Sequence, residues 1–158
     1  MADRLVVMNE GRAEQIGTAI EVYEHPATTF VATFIGSPSM NLMQAKLDAD
    51  GARLTLGDGV VIPLDQPRTD VAGQAVTAGI RPEDLLLVEE PTGLELKLEM
   101  VEQLGADTLL HGNLAGAGKD LVTVRVGGHF TEGPEKLNLK LRHSDKLHLF
   151  DVETGARI

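Results

Sequence analysis

Leu94, Leu96, Leu98 and Met100 alternate without a break with Glu95, Lys97 and Glu99. A period of two puts the apolar side chains on one face of an extended strand and the charges on the other. The pattern returns where Val122, Val124 and Val126 flank Thr123 and Arg125, and again where Leu137, Leu139 and Leu141 flank Asn138 and Lys140. Strands that hide one face and wet the other belong to antiparallel sheets. Turn signals separate the runs: Asp50-Gly51, Asp58-Gly59, Gly127-Gly128 and Thr154-Gly155. From Met40 onward the chain therefore predicts a small antiparallel barrel or sandwich, with a hint of two related β halves at roughly 40–90 and 94–158. Aromatic residues are 3% of the chain, so Leu, Val and Ile must fill the interior.

The first 36 residues follow another pattern. Arg4 to Met8 and Arg12 to Ile16 read as two strands joined by a tight turn at Asn9-Glu10-Gly11, with Gly11 supplying positive φ. Thr18 and Glu21 have the spacing of a capping box, which starts a helix after Gly17. His25-Pro26 interrupts it, because proline disfavours helical geometry in the residue before it. A second helix places Phe30, Val31, Phe34 and Ile35 on one face and ends at Gly36. Ser37-Pro38-Ser39 reads as a linker. The expected division is 1–37 and 38–158.

Most catalytic chemistry is excluded. With no cysteine there is no disulfide framework, thiolate zinc site or cysteine nucleophile. A formal charge of -10 and the lack of stacking aromatics disfavour nucleic acid. Apolar runs such as Leu85-Leu86-Leu87-Val88 fall far short of the roughly 20 residues of a membrane span. Gly116-Ala117-Gly118-Lys119 imitates part of a phosphate loop, but Asn113 stands where the first glycine is required and Asp120 where a hydroxyl is required. It reads as a hairpin loop. His25, His111, His129, His143 and His148 lack metal-ligand spacing and read as strand-end residues. His148, between Leu147 and Leu149, is expected to face away from the apolar side. Glu99, Glu102 and Asp107 could be cast as catalytic carboxylates, yet a solvated strand face explains them.

Several segments resemble one family. Residues 1–12, Met-Ala-Asp-Arg-Leu-Val-Val-Met-Asn-Glu-Gly-Arg, are similar to the stretch after the switch histidine of ABC ATPases. Glu14-Gln15-Ile16-Gly17-Thr18 and Glu21-Val22-Tyr23-Glu24-His25-Pro26 continue it. Residues 30–41, from Phe30 to Asn41, resemble the junction with an appended domain, and Gly79-Ile80-Arg81-Pro82-Glu83 resembles a signature of that domain. Together they resemble the sugar-importer ATPases typified by the maltose importer. Residues 104–112 and 147–155 look most like the sn-glycerol-3-phosphate branch. Asp84 departs from a histidine common at that place in the family.

The resemblance implies a mainly β fold: an OB-fold-like (TOBE/MOP) barrel at 38–158, preceded by a hairpin and two short helices left from a nucleotide-binding domain. It implies that the phosphate loop, signature sequence, catalytic glutamate and switch histidine precede Met1. No ATP hydrolysis, cofactor, catalytic residue or metal site is then expected in this chain, with ATP and magnesium held by the parent subunit. It further implies a homodimer, membrane-spanning permease partners, a regulatory protein or metabolite, and a cytoplasmic place at the inner face of the membrane. Loops carry such contacts, so the candidate interface residues are Arg81, Glu83, Leu104, Gly105, Asp107, His148, Phe150 and Asp151. Phe150 is either an interface aromatic or a cover over one barrel end. Arg81 either binds an anion or a partner's carboxylate, or pairs with Glu83 to fix the turn. A free-standing barrel that binds a small anion is the alternative function. The orphan hairpin is expected to be frayed, or paired with a second copy.

Overall fold

A computed structural model describes residues 3–130 and 133–158, which leaves Met1 and Ala2 of the first family-like segment outside it. Strands β1 (Leu5–Asn9) and β2 (Arg12–Gly17) form the expected hairpin. Glu10 and Gly11 both have positive φ, at 49° and 79°, which is the two-residue turn that matches strand twist. Helix α1 (Ala19–Glu24) starts with the expected capping box: Thr18 Oγ1 accepts from the Glu21 amide at 3.2 Å, and Glu21 Oε2 accepts from the Thr18 amide at 2.8 Å. Helix α2 (Thr29–Phe34) is capped by Thr28. The hairpin is not left bare. Val7, Val22 and Val31 form a small core between it and the helices, while Val6, Met8 and Ile16 stay exposed on its outer face. The apolar face expected on α2 is only partly hidden: Val31 and Ala32 are buried, but Phe34 is exposed and stacks on Phe30.

Ten strands follow among the described residues: β3 (Asn41–Leu47), β4 (Arg53–Leu56), β5 (Val60–Pro63), β6 (Ala75–Ile80), β7 (Leu85–Val88), β8 (Glu95–Gln103), β9 (Asp107–Leu114), β10 (Leu121–Gly127), β11 (Lys136–Leu141) and β12 (His148–Phe150). They form two five-stranded antiparallel sheets, ordered β12-β6-β3-β4-β5 and β10-β9-β8-β11-β7. The OB-type fold expected from the resemblance holds, but the barrel is not closed. The sheets face each other over one aliphatic core that includes Leu47, Leu54, Ile80, Leu96, Leu110 and Leu139. On one side Asn41 seals them. Its side-chain amide accepts from the Thr123 amide at 2.9 Å and donates to the Thr123 carbonyl at 2.8 Å, imitating a strand pair. On the other side the Asp58 amide donates to Gly116 at 2.9 Å, and a cleft opens between β5 and β11.

Two sequence expectations change. The two β halves each give up a strand, since β7 joins the second sheet and β12 returns to the first. The alternation of β8 also breaks, because the register shifts between Leu98 and Met100. A bulge inserts an unpaired residue and reverses the faces beyond it. Leu94 and Leu96 are buried, whereas Met100 and Val101 are exposed on a hairpin tip that outruns the core. Gly116-Ala117-Gly118-Lys119 is the loop between the antiparallel strands β9 and β10, as expected.

Candidate functional site

Arg81 follows β6 and precedes Pro82, so its backbone is extended, with φ -71° and ψ 145°. That geometry sends its side chain out of the first sheet and under the two helices. The guanidinium donates to three carbonyls: Tyr23 at 2.8 Å, Ile35 at 2.7 Å and Ala32 at 3.1 Å. All three belong to the last turns of α1 and α2, where carbonyls lack helical partners and a positive charge is favoured. The Tyr23 ring lies 4.0 Å from the guanidinium carbon, a cation–π contact. Gly36, at φ 107°, leaves the space: a side chain there would stand 3.0 Å from Arg81 Nη1. Arg81 is 2% exposed, and its Nε has no partner. One cation thus caps two helices and fastens them to the sheet.

Two further bonds secure the same joint. Asp151 accepts from the Glu153 and Thr154 amides at 2.9 and 2.8 Å and from the Thr154 hydroxyl at 3.1 Å. These donors hold its carboxyl below the usual range. The turn they fix brings the tail onto α2: the Thr29 amide donates to Gly155 at 2.9 Å, and the Arg157 amide donates to Ala27 at 2.8 Å. Beneath lie Phe150, Ala32 and Met40, all buried together.

These contacts correct three expectations. The Arg81 guanidinium donates to the Tyr23, Ala32 and Ile35 carbonyls and not to Glu83, whose own carbonyl accepts from Arg142 at 3.1 Å. Phe150 is fully buried against Ala32 and Met40, so it covers the joint and is not an exposed aromatic. His148 does point away from the core, but the helical segment covers that face, so it is buried too. Both faces of β12 are hidden, which is why alternation misled there. The His148 ring stacks on Phe150, and its Nδ1 takes a hydrogen bond from Arg157 at 2.8 Å. Burial first, then the Arg157 charge, lower its pKa to about 4. Asp84 is buried nearby, and desolvation raises its pKa against the pull of Lys146, Arg142 and Arg81.

The remaining candidates lie elsewhere. Leu104 and Gly105 form the exposed tip of the β8–β9 hairpin, and Asp107 pairs with Arg125 at 2.7 Å. Glu83 is half-buried in the turn after Arg81. The carboxylates weighed as catalytic are surface partners: Glu99 accepts from Asn113 at 2.6 Å and Glu102 lies 3.3 Å from His111. Among the described residues there is no group of three or more His, Cys, Asp or Glu that could hold a metal ion. Among them, too, no helix is long and apolar enough to cross a membrane. Sequence reasoning missed Asn41 as the seal between the sheets and Tyr23 as the cation's platform, since neither has a local signal.

A family model described as the MalK OB fold domain matches residues 36–85, the stretch from the joint through β6 to Leu85. The whole chain aligns with sn-glycerol-3-phosphate import ATP-binding proteins. It is 45% identical to that of Chromobacterium violaceum, 46% to that of Ruegeria pomeroyi and 43% to that of Shigella sonnei. The alignments cover 100% of this chain but 42, 43 and 44% of those proteins, so the chain spans just over two fifths of their length. Along its whole length the chain is thus similar to a carboxyl-terminal part of these import ATP-binding proteins, and within it residues 36–85 match the MalK OB fold domain.

Proposed function

We propose that this chain is the regulatory and dimer-contact portion of the ATP-binding subunit of an ABC importer for sn-glycerol-3-phosphate or a related carbohydrate. In this reading, residues 1–37 complete a nucleotide-binding domain and residues 38–158 form the appended domain. ATP and magnesium are held outside this chain, by the rest of the subunit. The subunit works as a homodimer on the inner face of the membrane, beneath its permease partners. A regulatory protein or metabolite acts by binding its open and closed states unequally.

The observation that carries the reading is Arg81. A cation that caps two helices from inside the appended domain makes a stiff joint, and a stiff joint is what a relay of nucleotide-driven motion needs. The same use of Arg81 leaves it unavailable for the free-standing anion-binding alternative. The dimer contact is assigned to the exposed apolar tip of Met100, Val101 and Leu104, which the core does not use. The test is to place Arg81→Met in the complete subunit, assembled with its permease. Solute uptake per ATP hydrolysed should fall several-fold while hydrolysis persists. Unchanged coupling would overturn the relay.

A further inference from the structure

Where the barrel fails to close, a cleft of about 1020 Å³ runs between β5 and β11. Its floor is apolar: Ile62, Leu94, Leu139 and Leu149 are all buried. Its walls are the edge strand β5 and the end of β11, which pairs with β7 from Asn138 to Leu141 and with β8 only as far as Asn138. The Arg142 amide donates to Asp84 on the β7 side, and the Leu139 amide donates to Leu94 on the β8 side. Successive residues of a strand point their backbone groups to opposite sides. The N–H and C=O of Leu141 therefore face the cleft, beyond the point where β8 pairing ends at Asn138–Glu95. Across the cleft, the Leu64 amide donates to Ala52 within the sheet. By the same parity, the N–H and C=O of Val61 and the C=O of Pro63 face outward from β5, which is an edge strand. The hydrogen bond from the Ser144 hydroxyl to Asp65 crosses one end of the cleft.

Side chains add a charge preference. Lys140 and Arg142 share the outer face of β11 and are exposed, and Lys140 has no ion pair among the described residues. A strand laid beside β11 would set one row of side chains on the apolar floor and the other row beside these cations.

We propose that the cleft is a strand-addition site for a partner protein's extended segment, about six residues long, with apolar residues alternating with Asp or Glu. Backbone bonds to both edges supply affinity, and the alternate rows supply selection. The site is independent of the relay reading, because it uses neither Arg81 nor the helical joint.

A library of displayed ten-residue peptides panned against this chain tests it. Peptides that alternate apolar and acidic residues should be enriched. A selected peptide should slow amide exchange at Val61 and Leu141 at least tenfold. N-methylation of its edge-facing amides should weaken binding at least tenfold. Lys140→Glu should weaken the acidic peptide several-fold and strengthen its lysine counterpart. The proposal is overturned if no peptide is enriched, or if binding tolerates N-methylation, or if protection falls on other strands.

Discussion

Arg81 decides more than any other single residue. Its partners lie 46 to 58 positions away along the chain, so no window of sequence could reveal what it holds. Removing it strands three helix-end carbonyls and the Tyr23 ring together. Hydrogen bonds to a charged group contribute about 1.5–3 kcal/mol each, but water can reach part of the vacated site. Arg81→Met should therefore cost about 3 kcal/mol in denaturant unfolding and speed amide exchange at His25 and Ile35. Arg81→Lys, a point charge without the planar fork, should recover only part of this. His148 gives a pH test. Its folded pKa is about 4 against the ordinary 6.5, so the unfolded chain binds the proton first as pH falls. Its stabilising effect is whole above about pH 6.5 and is lost as pH falls towards 4, up to about 3 kcal/mol. His148→Gln keeps an acceptor for Arg157 and does not titrate, so it should flatten melting temperature against pH over that window.

Elements were legible where the signal is local. The turn at Glu10-Gly11, the capping box of Thr18 and Glu21 and the alternation through Leu94 and Leu96 each depend on neighbours within a few residues, and each forms as the sequence predicts. What failed depended on a second element. The bulge after Leu98 is imposed by pairing with β9, and the burial of β12 on both faces by the helices that cover it. The β8–β9 tip belongs to this scale. Leu104 is 47% exposed and touches no core cluster. Leu104→Glu should leave unfolding free energy within about 0.5 kcal/mol of the parent, yet weaken self-association at least several-fold in sedimentation equilibrium. Unaltered association would move the dimer contact elsewhere.

Across the whole molecule, the sequence suggested a division at the linker 37–39, but it did not show the contacts that run across that point. Three separate ties cross it: the Arg81 clamp, the tail bonds from Gly155 and Arg157, and the Phe150, Ala32 and Met40 cluster. A relay requires that these make the hairpin, helices and sheets one rigid body. The chain has no native cysteine, so two spin labels can be placed without background, by Glu10→Cys on the hairpin turn and Asp50→Cys in the loop after β3. Double electron–electron resonance should give one narrow distance distribution, which broadens when Arg81→Met is added. A broad distribution in the parent, or one that stays equally narrow without the arginine, would contradict the account.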